Sequence, residues 1–340
     1  MFKNKTVLIT GGTGSLGKEL TKELLKQNVE VARILDTDET ALYDFKNELE
    51  SEMPKAIKED KVRFLVGDVK DKERMVRAME HVDIVFHLAG LKHVESCEYN
   101  PFEAVKTNVL GTQNVIDAAL ANNVERVIFT SSDKAAYPHN TMGATKLLAE
   151  RLITSANYYK GKRKTIFASV RFGNVIGSRG SVIPLFISQL QNEQPLTITD
   201  PKMTRFMMTK KQAVSLIFKC AEMARGGETF ILKMPVIRIG DLADVLVAEW
   251  KTICGDIKTK TKIIGLKPGE TFYEELMTEE EANKAKATKD LFIVPPMMAG
   301  TNMMKDWSWE QKVKCDYHSH TATPISKKQI RQMLVEEGII

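Results

Sequence analysis

An acid and an amine stand side by side at Asp133 and Lys134, within the stretch FTSSDKAAYPHNTMGATK at residues 129–146. A carboxyl group in contact with an ammonium can pass protons to and from a bound molecule, and the hydroxyl of Ser132 just before them can hold a substrate oxygen. A second amine, Lys146, follows on a helical pattern, with Met142 one helical turn before it. A thioether neither takes nor gives a proton, so Lys146 has no titratable partner one turn toward the N-terminus. Tyr137 is the nearest phenol, and it falls in the loop before the helix. Proton chemistry here therefore rests on Asp133 and Lys134. The dipeptide alone would serve equally as a surface ion pair. Its place directly after an apolar strand turns it toward a site, because open parallel sheets bind ligands at the carboxyl ends of their strands.

The elements that position these groups follow from the apolar pattern. Short β-branched or apolar runs at 5–10, 29–35, 62–66, 82–88, 126–130 and 165–171 read as buried parallel strands. Amphipathic stretches ending near 27 and covering 40–52, 72–79, 101–122 and 141–159 read as helices. This alternation predicts an α/β fold with a Rossmann-type doubly wound parallel sheet. The pattern loosens after residue 172, where helices are expected at 212–225, 239–250 and 329–338. The expected division is a dinucleotide-binding domain over 1–172, with 206–232 packing back on it. A smaller C-terminal α/β lobe, from 173–205 and 233–340, closes over the carboxyl edge of the sheet. The Met-rich piece 295–304 reads as a loop.

Composition narrows the class. A hydrophobic fraction of 43% supports a real core, and a net charge of +5 with both signs interspersed argues against a nucleic-acid partner. No apolar run approaches the ~20 residues of a membrane span, and the N-terminal residues lead straight into a strand without a signal-like segment. Cys97, Cys220, Cys254 and Cys315 are scattered and read as reduced thiols. The expectation is a cytoplasmic protein. His318 and His320 lack further ligands nearby in sequence, and no metal site is expected.

The cofactor site is legible in TVLITGGTGSLGKEL. Gly11 permits the tight turn, Gly14 lets the backbone approach a pyrophosphate, and Gly17 lets the helix pack on the strand. The helix N-terminus then offers free N–H groups to phosphate. Asp36 ends the next strand, where a carboxylate accepts from the adenosine ribose hydroxyls and repels a 2′-phosphate. No arginine follows it, so NAD is expected rather than NADP. Thr13, Ser15 and Leu16 belong to the same turn. Asp68 and Val69 are expected at the adenine; Leu88, Ala89 and Gly90, after the fourth strand, line the cofactor beyond it. Asn108 completes the expected set with Lys146, which would hold the nicotinamide ribose.

Longer motifs carry a family resemblance. They are HLAGLKHVESCEYNPFEAVKTNVLGTQNV from His87, SSDKAAYPHNTMGATK from Ser131, RFGNVIGSRGSVIPLF from Arg171, MTRFMMT from Met203 and KPGETFYEELMTEEE from Lys267. Together they span nearly the whole chain. The sequence resembles the nucleotide-sugar 4,6-dehydratases of the extended short-chain dehydrogenase/reductase superfamily, in the polysaccharide-biosynthesis branch that acts on UDP-N-acetylglucosamine. The resemblance implies a closed redox cycle. C4 of the sugar is oxidised, water is eliminated across C5 and C6, and the hydride returns to C6. By resemblance Asp133 protonates the departing C6 hydroxyl, Lys134 is the base at C5, and Ser132 binds the C4 oxygen. Many members place a tyrosine where this chain has Met142. One branch, the catalytic halves of large membrane-anchored members, carries MGATK as here, and implies retention at C5.

The resemblance also implies a UDP site in the second lobe. Asn174 and Arg205 would meet the diphosphate, Ser181 and Val182 the nucleotide, and Glu270 the uridine end, while Lys92 and His93 would lie near the sugar. Two other functions use the same scaffold. A UDP-hexose 4-epimerase needs no acid for a C6 hydroxyl, and a catalytically silent NAD-binding sensor would explain Met142. Extended members commonly pair through two long helices, here 101–122 and 141–159, so a homo-oligomer is expected.

Overall fold

The structure, a computed structural model, describes residues 1–255, 260–296 and 317–340. The piece at 295–304 lies outside the described residues from 297 onward, and so does Cys315. The first part of the chain runs β1 (Thr6–Thr10), α1 (Ser15–Lys26), β2 (Val31–Asp36), α2 (Glu39–Glu52), α3 (Pro54–Lys58), β3 (Val62–Val66), α4 (Lys72–Ala78), β4 (Ile84–His87), α5 (Val94–Tyr99), α6 (Pro101–Ala104), α7 (Gly111–Ala121), β5 (Arg126–Thr130), α8 (Thr141–Tyr159) and β6 (Ile166–Arg171). Then come β7 (Asn174–Val175), α9 (Val182–Gln191), β8 (Leu196–Ile198), β9 (Thr204–Met208), α10 (Lys210–Met223), β10 (Thr229–Leu232), β11 (Val236–Arg238), α11 (Ile239–Cys254), β12 (Thr261–Ile263), α12 (Glu279–Lys284), β13 (Lys286–Ala287), β14 (Leu291–Val294) and α13 (Lys327–Glu336).

One nine-stranded sheet, ordered β13-β14-β10-β6-β5-β4-β1-β2-β3, forms the centre. From β3 to β10 the strands are parallel. Apart from the edge strand β3, whose Val66 is exposed, their apolar runs are buried because helices cover both faces. The register sets Thr10 opposite His87, His87 opposite Phe129, and Thr130 opposite Val170. The carboxyl ends of β1, β4, β5 and β6 are thereby level, and the loops that leave them share one edge.

Two expectations differ from the fold. The helix expected over 101–122 is interrupted by a π-helical turn at Val105–Leu110. Its cause is local: the Asn108 amide takes both the N–H and the carbonyl of Leu91, at 2.7 and 3.0 Å. Apolar spacing cannot register a polar side chain that wins such a contest. Secondly, β13 and β14 come from the stretch assigned to the second lobe, yet they extend the main sheet as an antiparallel edge beside β10. The apolar run Leu291–Val294 is buried there, which is what draws it in. α10 packs on α1.

A second core gathers Ile183, Phe186, Ile198, Met203, Leu242 and Leu334 from α9, β8, α11, α13 and the segment before β9. A buried polar knot lies at the end of β6. Arg171, fully buried, makes paired bonds to Glu150 at 3.0 and 2.6 Å and to Glu281 at 2.8 and 3.0 Å. It also donates to the Leu276 carbonyl at 3.0 Å. Burial opposes its charge, but Glu150 and Glu281 outweigh burial and hold the guanidinium protonated. Among the described residues no helix is long and apolar enough to cross a membrane.

Candidate active site

The glycine turn between β1 and α1 has no room for side chains. Gly11 has φ +67°, and a Cβ there would stand 2.8 Å from the Ala89 nitrogen. A Cβ on Gly17 would stand 2.6 Å from the Gly12 carbonyl oxygen. Gly14 is the N-cap of α1 and supplies no side-chain cap, so the first-turn N–H groups face outward without a side-chain acceptor. Asp36 holds the turn from β2. It accepts from the Thr13 N–H at 3.0 Å and the Thr13 hydroxyl at 2.6 Å, and its other oxygen accepts from the Thr37 N–H at 2.8 Å. A dinucleotide fits this set: close-approach glycines, an uncapped helix start and a carboxylate at the strand end. Asp68 lies after β3, where it accepts from the Lys70 N–H at 2.9 Å. Val69 is buried against Gly111.

Beyond β4 the expected residues Gly90, Asn108 and Lys146 come together. A Cβ on Gly90 would stand 3.0 Å from Asn108 Oδ1 and 3.1 Å from Lys146 Nζ. Asn108 also donates to Thr145 Oγ1 at 3.0 Å, which ties the π turn to α8. Lys146 donates to the Thr130 carbonyl at 3.2 Å and lies 4.8 Å over the Phe129 ring. Burial lowers its pKa to about 8, with Glu150 and Cys97 pulling the other way. Met142, 3% exposed, packs with Cys97 and Ala104 in a small apolar cluster. Tyr137 is engaged elsewhere, accepting from the Glu279 N–H at 3.1 Å. His87 is buried between Thr10 and Thr112, at 2.7 and 3.0 Å, and burial lowers its pKa to about 3.

The acid–amine pair sits on a 3-10 turn, Asp133–Ala135, directly after β5. Ser132 donates to Asp133 Oδ1 at 2.6 Å, and Lys134 Nζ lies 3.2 Å from the same oxygen. Lys134 also donates to Glu274 at 2.8 Å. Burial and the adjacent Glu274 charge push Asp133 up. Burial would raise Glu274 too, but the Lys134 and Arg205 charges outweigh it and hold it down. For Lys134, burial is outweighed by the Asp133 and Glu274 charges, and its pKa is raised. Of the two carboxylates, Asp133 is thus the one more ready to hold a proton.

Two of the residues expected at a diphosphate converge on this same carboxylate. Asn174 donates to Glu274 Oε2 at 2.9 Å. Arg205 approaches Glu274 at 3.4 Å, donates to the carbonyls of Thr204 and Thr271 at 2.9 and 2.7 Å, and lies 3.7 Å from Glu270. Glu270 also accepts from Thr199 at 3.1 Å. Ser181 is the N-cap of α9, which starts at Val182, and its hydroxyl has no partner among the described residues. Lys92 donates to the Arg179 carbonyl at 2.5 Å, and Gly180 lies against the His93 ring. Burial and the Arg179 charge lower Lys92; burial and Lys92 lower His93.

Two residues of the site were not singled out from the sequence. Glu274 is the hub of the polar cluster, but in YEEL it reads like any helix-cap or surface acid. Arg179 reaches the glycine turn, its N–H donating to Ser15 Oγ at 3.1 Å and its guanidinium to the Thr13 carbonyl at 3.1 Å. The glycine flanked by serine and arginine in SRGS was the available signal.

Known proteins resemble this chain over nearly its whole length. An uncharacterized membrane protein of Methanocaldococcus jannaschii is 51% identical over 98% of this chain and 96% of its own length. A UDP-glucose 4-epimerase of Rickettsia bellii is 38% identical over 98% of this chain and 96% of its own. The solved structure of Pen from Bacillus thuringiensis superposes with a TM-score of 0.91 at 46% identity, covering 98% of both chains. The chain is therefore related to nucleotide-sugar-modifying enzymes of the epimerase type. The family described as polysaccharide biosynthesis protein matches residues 7–296, and the chain belongs to it.

Proposed function

We propose that this protein is a UDP-N-acetylglucosamine 4,6-dehydratase that works with NAD and retains the configuration at C5. The carrying observation is the buried acid–amine pair after β5, with Asp133 raised toward protonation and Lys134 in contact with it. Removing a C6 hydroxyl needs an acid next to a base, which a 4-epimerase does not. Gly11, Gly14, Gly17, Asp36, Asn108 and Lys146 would hold the dinucleotide, which supplies reversible hydride storage when bound. Ser132 binds the C4 oxygen and is held by its 2.6 Å bond to Asp133; the C4 proton is released to solvent, and Lys134 takes one back when the cycle closes. Asp133 protonates the departing C6 oxygen. Lys134 exchanges the C5 proton. It does so from its neutral form, reached by passing a proton to Asp133 across the 3.2 Å contact. That single transfer leaves a carboxylic acid beside an amine, the form able to give at C6 and take at C5.

The nucleotide is assigned to the second lobe, with Ser181, Val182 and Glu270 on its path and Lys92 and His93 near the sugar. A second copy of the chain is the proposed partner for the exposed Leu110 and Leu148, tested by sedimentation at micromolar concentration. The name carried by relatives at 38% identity favours one other reading, a UDP-glucose 4-epimerase. Proton NMR with UDP-N-acetylglucosamine in deuterated water separates the two. A new C6 methyl signal with deuterium at C5 supports the dehydratase, and the C5 couplings give the configuration. A gluco-to-galacto change without a methyl signal, with either UDP-sugar, refutes it.

A further inference from the structure

We propose that Glu274 is a positioning residue for the acid–amine pair: an ionised carboxylate that fixes Lys134 and leaves Asp133 as the group that holds a proton. The proposal rests on the dehydratase reading for its catalytic consequence, but not for its electrostatics. Glu274 is 5% exposed and comes from the segment before α12, far along the chain from Asp133. Four parts of the fold hold it in place. The turn after β5 contributes Lys134 Nζ at 2.8 Å, and β7 contributes Asn174 at 2.9 Å. From β9 come Arg205 at 3.4 Å and the Phe206 N–H at 3.4 Å. The tail contributes Ser319, whose hydroxyl accepts from the Glu274 N–H at 2.9 Å.

The charges around the pair are then few. Asp133 and Glu274 are the carboxylates, and Lys134 and Arg205 the cations, with Glu270 behind Arg205 at 3.7 Å. Ser132, Asn174 and Ser319 are neutral, and the neighbouring His318 pairs with Glu275 at 2.9 Å. Glu274 contacts both cations, whereas Asp133 shares only Lys134. Two buried carboxylates on one ammonium do not ionise equally. The one with the second cation stays charged, and the other binds a proton more readily. Burial and the Glu274 charge both act on Asp133 in that direction. Without Glu274, Asp133 would be the sole carboxylate for Lys134 and would lose its proton more easily.

The test uses full-length protein loaded with NAD, as wild type, Glu274→Gln and Glu274→Asp. The Asp133 carboxyl is followed by carbon-13 NMR against pH without substrate, its signal assigned by its loss in Asp133→Asn. In Glu274→Gln its midpoint should fall by at least about one pH unit, and Glu274→Asp, which keeps the charge, should restore most of the difference. With substrate, the low-pH limb of methyl formation, where protonated Asp133 can no longer take the Lys134 proton, should move down by the same amount in Glu274→Gln. An unmoved midpoint overturns the proposal. So does an Asp133 midpoint in the ordinary carboxylate range in wild type, a result that does not depend on either Glu274 variant folding. If the midpoint moves but wild type forms no methyl product, the dehydratase reading fails and the electrostatic role of Glu274 stands.

Discussion

Replacing Lys146 by methionine in cofactor-free protein should stabilise the fold while removing its function. Lys146 is 7% exposed, and burial lowers its pKa from 10.5 to about 8. At ~1.4 kcal/mol per pH unit, keeping the ammonium charged in the folded state costs about 3 kcal/mol at neutral pH. Methionine removes that cost. It also removes the bond to the Thr130 carbonyl and the contact over the Phe129 ring, together about 1–2 kcal/mol. The net expectation is a gain of about 1–2 kcal/mol at neutral pH. The sign of the pH dependence follows from the direction of the shift. The folded-state pKa lies below the unfolded one, so wild type gains stability as pH rises from about 8 to 10.5. The advantage of Lys146→Met should therefore be constant below about 8 and fade across that window. Urea unfolding of both proteins, compared at a series of pH values from neutral upward, reads this directly. Added NAD should stabilise wild type more than the variant. A variant less stable than wild type at neutral pH would refute the reasoning, and so would an advantage that stays flat with pH.

Arg171→Ala leaves Glu150 and Glu281 buried without their shared partner; the expected loss is about 3–5 kcal/mol by urea unfolding. Met142→Tyr puts a larger side chain into the packed cluster with Cys97 and Ala104. It should cost about 1–3 kcal/mol and leave kcat no higher, in thermal melts and methyl-formation assays respectively. Asp36→Ala removes the acceptor of both Thr13 bonds as well as the proposed ribose ligand. Titration calorimetry should show NAD binding about tenfold weaker or worse, with the preference over NADP narrowed.

The parallel sheet was legible because its strands are buried on both faces and therefore read as uninterrupted apolar runs. Leu8, Val85, Val127 and Phe167 all lie in one core. The glycine turn and Asp36 were legible because backbone sterics and strand-end position are local properties. Glu274 was not, since its partners Asp133, Asn174 and Arg205 are remote in sequence. No local pattern distinguishes a carboxylate that will be buried against two cations from one that caps a helix in water. The edge strands β13 and β14 were missed for a related reason: their place depends on β10 leaving an open edge, which only the assembled sheet reveals.

The π turn at Val105–Leu110 has a consequence for how this chain tolerates change. Such a turn accommodates one residue more than an α-helix of the same length, as an insertion would. Deleting a single residue there would let the segment run on as a regular helix, with its ladder of backbone bonds restored. It would also turn everything on one side of the cut by about 100° relative to the other. Asn108 would then swing away from Leu91 and Thr145, or Gly111 would lose its seat against Val69. Length variation in this helix is therefore barred by its contacts at both ends, even though the deletion would improve the helix itself.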